Sequence, residues 1–135
     1  MTTEHIDDSA WISDKDSPVV ARLSQLISAL TNLTMETTED LQVANYGVGG
    51  HYSPHFDFYH VTIQFIRRSC QIFCFRSGNR IATWLTYLSD VELGGATVFP
   101  MVDGYIVPKK GSAAFWYNLY ASGEGMIFLR FIALN

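Results

Sequence analysis

From residue 41 onward the sequence is divided into short apolar runs by glycine and proline, and this punctuation constrains the fold more than any other feature. Turn signals fall at Gly94-Gly95, Asp103-Gly104 and Lys109-Lys110-Gly111. Many short strands at such spacing predict a sandwich, a barrel or a jelly roll. The predicted strands cover residues 41–46, 55–58, 80–88, 96–99, 105–107 and 112–117.

One segment before these runs has the periodicity of a helix instead. Ser17-Pro18 is typical of an N-cap followed by proline at the first helical position. Behind it apolar residues recur at three- and four-residue spacing, namely Val19, Val20, Leu23, Leu26, Ile27 and Leu30. The pattern predicts a helix from residue 18 to about residue 31 that packs against a sheet through one apolar stripe.

The length, net charge and hydropathy of the chain limit the number of domains and the classes of partner. A chain of 135 residues fits a single domain over residues 1–135. The formal net charge of -4 argues against a nucleic-acid partner, because a phosphate binder needs a basic face. We expect no membrane span, since no run of about 18 apolar residues is present. The polar start of the chain also lacks the apolar core of a secretory signal.

The segment that indicates chemistry is HYSPHFDFYH at residues 51–60. Side chains two apart in an extended strand share a face, so His55 and Asp57 are predicted to converge on one metal ion. An imidazole and a carboxylate suit a ferrous ion when a second histidine completes a facial triad. The triplet alone is a weak signal, and two polar residues at a strand end remain an alternative.

The surroundings of this triplet resemble the metal-binding segment of collagen prolyl 4-hydroxylase alpha subunits. The resemblance covers residues 9–60 and 77–125, and it departs at residues 61–76 and 126–135. It implies a mainly β fold, the double-stranded β-helix (a cupin-like jelly roll), with an N-terminal helix. The matching runs are LQVANYGVGG at 41–50, HFDF at 55–58, GNRIATWL at 78–85, GGATVFP at 94–100, PKKG at 108–111, FWYNL at 115–119 and ASGEG at 121–125.

The resemblance also implies an activity and a set of roles. Such enzymes hydroxylate peptidyl proline with oxygen, decarboxylating 2-oxoglutarate to succinate, while ascorbate keeps the Fe(II) reduced. By position, His55 and Asp57 would be the first two iron ligands, and Tyr46 would hydrogen-bond the 2-oxoglutarate carboxylate. Tyr52 and Arg80 would contact a proline-rich or collagen-like peptide. The family further implies the lumen of the endoplasmic reticulum and protein disulfide isomerase as a partner.

The family's pattern breaks at two places. Its spacing puts Phe131 where the third iron ligand, a histidine, is expected, and phenylalanine has no lone pair to donate. Asn135 is reached before the lysine that pairs with the far carboxylate of 2-oxoglutarate, so we expect the C-terminal strand or strands to be missing. Apolar residues 61–76 replace a polar loop. We interpret both breaks as translated intron or frame-shifted sequence, with true divergence as the alternative.

These breaks predict a chain that does not hydroxylate proline. Two alternatives are a non-catalytic remnant that binds proline-rich peptides through Tyr52 and Arg80, and a simple metal-binding fragment with zinc at His51, His55 and Asp57. A local histidine is not expected to replace the third ligand. Pro54 and the glycine run disturb the strand parity of His51, and His60 has the opposite parity from Asp57.

Overall fold

The computed structural model describes residues 8–47, 49–59 and 78–134. Within these ranges the chain is mostly strand, with one α-helix, eight strands and two 3-10 turns at Pro100–Val102 and Ile127–Leu129. The elements in chain order are β1 (Asp8–Ile12), α1 (Pro18–Thr31), β2 (Leu41–Asn45), β3 (His51–His55), β4 (Ala82–Thr86), β5 (Thr97–Phe99), β6 (Gly104–Ile106), β7 (Ala113–Tyr117) and β8 (Phe131–Leu134).

The strands form three antiparallel sheets in the described part of the chain. β1 pairs with β2, β4 pairs with β7, and a four-stranded sheet has the order β3-β8-β5-β6. The four-stranded sheet and the β4-β7 sheet supply the core, which contains Phe99 of β5, Ala114 and Trp116 of β7, and Phe131 of β8. Along β7 burial alternates residue by residue, as expected of a strand with one face on the core. The predicted mainly β class with antiparallel layers is confirmed, although the sheets are not closed.

The predicted helix is confirmed at both ends. The Ser17 hydroxyl accepts a hydrogen bond from the Val19 amide at 3.2 Å, which satisfies one of the free N–H groups at the start. Asn32 ends the helix in the left-handed region at φ 57, and its N–H donates to Ser28. The apolar stripe is only partly buried, because Val19 and Leu30 remain exposed. No helix in the described ranges is long and apolar enough to cross a membrane.

Two predicted strands differ from the structure by more than one residue at an end. The strand expected at 55–58 lies at His51–His55, and Asp57 is in a bend after it. Its pairing with β8 shifts register between Tyr52 and His55, where Pro54 has no N–H to donate, and it ends at His55 opposite Phe131. The strand expected at 80–88 is Ala82–Thr86, all of which pairs with β7. Residues 61–76 lie outside the described residues.

The segment after residue 125, where the family's pattern breaks, has regular structure. Phe131–Leu134 forms β8, which pairs on one side with β3 and on the other with β5. We expected a strand to be missing at this end of the sequence, and these residues instead provide one in the interior of the four-stranded sheet. Position 131 pairs directly with His55 in β3, and the next two residues of its strand pair with β5.

Candidate metal centre

The end of β3 and the bend after it bring His55 and Asp57 together. His55 Nε2 lies 3.3 Å from Asp57 Oδ1, and the side chains are 24% and 14% exposed. Strand parity led us to expect this convergence, but the structure achieves it through the bend, because regular pairing stops at His55. Two donors at this separation can share one ion at about 2.0–2.2 Å from each.

The orientation of the His55 ring is fixed by its second nitrogen. Nδ1 lies 2.8 Å from the backbone oxygen of Ser53. A carbonyl oxygen only accepts, so Nδ1 carries a hydrogen, and Nε2 is the nitrogen that faces Asp57. A hydrogen bond of this kind is the usual means by which proteins orient a metal-binding histidine.

The Asp57 carboxylate is held on both oxygens. Oδ1 faces His55, and Oδ2 accepts a hydrogen bond from the Thr83 hydroxyl at 2.5 Å. Burial raises the pKa of Asp57, but the hydrogen bonds with His55 and Thr83 and the charges of His55 and Arg80 outweigh it. The pKa therefore lies below its ordinary value, which keeps the group in the ionised form that binds a cation.

Phe131 occupies the place opposite His55. The two residues are direct partners across β3 and β8, and their ring centroids lie 4.4 Å apart. The ring is 7% exposed and also packs on Trp116 and Phe99, at centroid distances of 5.0 and 5.8 Å. Sequence spacing placed this residue at the position of the third ligand. The structure puts a hydrocarbon ring beside the histidine there, where a metal would need a donor.

The donor set therefore fits a ferrous ion only in part. Among the described residues no three histidine, cysteine, aspartate or glutamate side chains are grouped so that they could hold a metal ion. The zinc alternative at His51, His55 and Asp57 is wrong for this reason, because the three do not form such a group. His60, considered as a substitute ligand, lies outside the described residues.

Two of the other predicted site residues, Tyr52 and Arg80, lie near this pair. The Tyr52 ring meets the His55 ring edge-on at 4.0 Å, so the imidazole contacts two aromatic rings, those of Tyr52 and Phe131. Tyr46 directly follows β2 and is partly buried. Arg80 makes a two-point ion pair with Glu39, with Nε–Oε1 at 2.6 Å and Nη2–Oε2 at 2.8 Å.

Arg80 is also positioned by an aromatic ring. Its guanidinium carbon lies 5.8 Å from the centroid of the Tyr59 ring, within the range of a cation–π contact. The hydrogen bond with Glu39 raises the pKa of Arg80 further, against an opposing effect of burial, so the group is a permanent cation. Arg80 thus lies near Asp57 with part of its hydrogen-bonding capacity already used by Glu39.

Sequence reasoning missed two polar residues of the site. Thr83 contacts Asp57 from β4, and the amide of Asn118 donates to the Thr83 hydroxyl at 2.8 Å. Both lie in runs that otherwise read as apolar strand, IATWL and FWYNL. A buried polar residue in such a run needs a partner, and this was the available signal that they face a polar site.

Antiparallel sheets and a histidine that faces an aspartate are typical of jelly-roll proteins with a non-haem metal centre, although this pair supplies only part of one. The fold is similar to that of the viral collagen prolyl hydroxylase from Paramecium Bursaria Chlorella virus-1, solved as a complex with 2-oxoglutarate. The TM-score is 0.75 at 24% sequence identity, over 94% of this chain and 70% of that one. At this identity the likeness shows the fold, and it confirms the predicted jelly roll.

Residues 41–124 match the model of the 2OG-Fe(II) oxygenase superfamily, and the chain belongs to that family. It is 54% identical over 130 residues to prolyl 4-hydroxylase subunit alpha-1 of Gallus gallus, which covers 93% of this chain and 24% of the relative. The subunit alpha-1 of Homo sapiens is 55% identical over 123 residues, covering 89% and 22%. That of Caenorhabditis elegans is 46% identical, covering 91% and 21%. The chain spans about a quarter of the length of these relatives.

Proposed function

We propose that this chain is a procollagen-proline 4-dioxygenase-like domain, related to enzymes that hydroxylate peptidyl proline with oxygen and 2-oxoglutarate, and that its own metal centre does not support turnover. Family membership and the names of the relatives support the first part. The second part rests on one observation, the pairing of His55 with Phe131 across β3 and β8.

The residues present have distinct tasks in this proposal. His55 Nε2 and Asp57 Oδ1 would hold Fe(II), and Ser53 and Thr83 orient those two side chains from outside the pair. The ferrous ion, when bound with 2-oxoglutarate, supplies the activation of oxygen that proline hydroxylation needs. Tyr46 is proposed to donate a hydrogen bond to the 2-oxoglutarate carboxylate.

Substrate recognition is assigned to Tyr52 and Arg80. Tyr52 already lies against His55, so a proline ring stacked on it would lie beside the metal. Arg80 retains N–H groups beyond the two that Glu39 accepts, because a guanidinium carries five. Those remaining donors can bind backbone carbonyl oxygens of an extended proline-rich peptide, which offers few N–H groups of its own.

Phe131 explains why turnover is not expected. A facial site for iron needs three protein ligands, and the Phe131 ring donates no lone pair to a metal. The ring is also packed against Trp116 and Phe99, so a water molecule cannot easily take its place as the third ligand. Losing only an outer-shell partner of a metal ligand costs about 10–100-fold in affinity, and losing a ligand itself costs at least that much.

We extend the proposal to three features that rest on the resemblance to prolyl 4-hydroxylase alpha subunits alone. Ascorbate would keep a bound iron ferrous, the endoplasmic reticulum lumen would be the compartment, and protein disulfide isomerase would be a partner. Co-purification of the isomerase with the tagged chain tests the proposed partner. Recovery of the tagged chain in the endoplasmic reticulum fraction of separated cell membranes tests the proposed compartment.

Succinate release tests the proposed function. The chain is incubated with Fe(II), ascorbate, 2-oxoglutarate and a proline-rich peptide, and we expect no peptide-dependent succinate. Metal affinity is measured in parallel on the chain, on Phe131→His and on Phe131→Leu. We expect tighter binding only for Phe131→His, since leucine changes the ring without adding a donor. Peptide-dependent turnover by the unmodified chain, or equal metal binding by all three proteins, would refute the proposal.

A non-catalytic peptide-binding domain is the second candidate. It is favoured by the arrangement of Tyr52, Tyr59 and Arg80, which does not depend on the residue at position 131. The measurement is peptide affinity in the absence of metal. Binding that persists without metal and falls on Tyr52→Ala supports this candidate, whereas binding that appears only with metal and 2-oxoglutarate contradicts it.

A further inference from the structure

Asn118 is a buried polar residue near the site, and both its backbone and its side chain make hydrogen bonds. It directly follows β7 and is only 2% exposed. Its backbone N–H donates to Ile81 at 2.8 Å, and its backbone oxygen accepts from Met126 at 2.8 Å. The residue is thereby fixed to the start of β4 on one side and to the segment that leads to β8 on the other.

The side chain of Asn118 continues this connection toward the metal ligands. Its Nδ2 donates to Thr83 Oγ1 at 2.8 Å, and Thr83 Oγ1 donates to Asp57 Oδ2. The direction of both bonds follows from the chemistry. An ionised carboxylate only accepts, so the Thr83 hydrogen points to Asp57, and the lone pair that remains on the hydroxyl faces a donor. Only the NH₂ end of the Asn118 amide can provide that donor.

We infer that Thr83 and Asn118 are positioning residues for Asp57, forming a directed hydrogen-bond relay that sets the carboxylate at the angle at which Oδ1 faces His55 Nε2. The part of this inference that concerns metal rests on the proposed function. The relay starts at the residue whose backbone also holds Met126, five positions before Phe131. Asn118 therefore connects the Asp57 side of the site with the strand that carries the third-ligand position.

A merely structural role would have a different signature. If Asn118 only satisfied its own buried amide, replacing Thr83 with any residue of similar size would change stability but not the orientation of Asp57. In the relay, the hydroxyl is the essential group. Thr83→Ser retains it and Thr83→Val removes it while keeping the shape, so these two variants separate chemistry from packing.

The first arm of the test uses the metal-free chain. The side-chain amide protons of Asn118 are followed by NMR in the unmodified chain, in Thr83→Ser and in Thr83→Val. In the unmodified chain and in Thr83→Ser we expect slow exchange of these amide protons and a shifted resonance. In Thr83→Val we expect both features to be lost and the carboxyl carbon shift of Asp57 to change. An Asp57 shift and an Asn118 exchange rate that are the same in the serine and valine variants would overturn the relay.

The second arm measures Co(II) binding, as a stand-in for Fe(II), in the Phe131→His background, where a third donor is present. We expect Thr83→Val to bind roughly 10–100-fold more weakly than Thr83→Ser, the range found when an outer-shell partner is lost. Equal affinities of the two variants would overturn the positioning role.

The two arms also separate this inference from the proposed function. If Phe131→His gains no metal affinity, the proposed function fails, and the NMR arm still decides whether the relay exists. If Phe131→His binds metal and the two Thr83 variants behave alike in both arms, the proposed function stands and the relay is wrong. Circular dichroism of every variant identifies any that is unfolded. Asn118→Leu, which is close to asparagine in size and cannot donate, then replaces Thr83→Val, with the carboxyl carbon shift of Asp57 as the readout.

Discussion

Gly125 lies against the ring of Phe58, and alanine at this position should destabilise the chain through that contact alone. A Cβ added to Gly125 would lie 2.6 Å from Phe58 Cδ2 and closer still to two other ring atoms. The nearest ring atom would be Cε2, whereas carbon atoms in contact normally lie about 3.5–4.0 Å apart, so the ring must move by roughly 1.5 Å or leave its site. Phe58 is 7% exposed and directly follows Asp57, which ties this contact to the candidate site.

The expected cost follows from the two ways of relieving the clash. Forcing an extra carbon into a packed core costs about 1–3 kcal/mol, and exposing a buried phenylalanine costs about 1.5–3 kcal/mol. Either route predicts a loss of about 2 kcal/mol, or roughly 6–10 °C in Tm for a domain of this size. The backbone adds nothing, since Gly125 is not among the glycines with positive φ.

Urea unfolding of Gly125→Ala in two backgrounds is the assay. In the unmodified chain we expect Gly125→Ala to lower the free energy of unfolding by the full amount. With Phe58→Leu already present we expect a much smaller decrease, because the leucine side chain can move away from the added Cβ. Gly123→Ala is the matched control: its φ is +85 with open space around the Cβ, so its cost should be the same in both backgrounds. A Gly125→Ala cost that does not depend on Phe58 would refute the reasoning.

Three further predictions concern titration, an ion pair and position 131. Burial raises the pKa of Tyr87, so the neutral phenol contributes to the free energy of unfolding fully below the ordinary tyrosine pKa, and this contribution is lost as the pH rises through the pKa of the folded state. Tyr87→Phe should therefore reduce the fall in the urea midpoint above about pH 10. Glu39→Gln should cost under about 1 kcal/mol, and less in high salt, because both partners of this pair with Arg80 are more than a third exposed. Phe131→His should lower the Tm of the metal-free chain by burying an imidazole among rings, and added Co(II) should raise it again. A Tm of Phe131→His that does not change when Co(II) is added would contradict the third prediction.

The elements with a local signal were predictable from the sequence. Ser17-Pro18 and the periodic apolar residues gave α1 its observed start, and Asn32 ended it within a residue of the expected position. β7 was predicted within a residue because a short apolar run follows the turn signal at Lys109-Lys110-Gly111. Such signals depend on a few neighbouring residues, so they can be read without knowing the rest of the fold.

The parts set by distant pairing were not predictable in the same way. The strand expected at 55–58 moved to His51–His55 because its limits depend on β8, a segment some 75 residues later, and on a register shift near Pro54. The burial of α1 was overestimated for the same reason, since periodicity identifies an apolar face but not what covers it. Thr83 and Asn118 were missed because their importance arises only where β4 and β7 meet the bend at Asp57.

Position 131 shows why fold and activity are separate conclusions for this chain. The fold requires a residue that pairs in β8 and fills the space beside Trp116 and Phe99, and phenylalanine meets both requirements with 7% exposure. The chemistry requires a lone pair at the same point, facing His55, and phenylalanine has none. The core contacts of an aromatic ring can thus preserve the family fold even though the centre lacks a third donor. Membership of the oxygenase family rests on the match of residues 41–124 and on the identity to the alpha subunits, whereas the proposed loss of turnover rests on the single side chain at position 131.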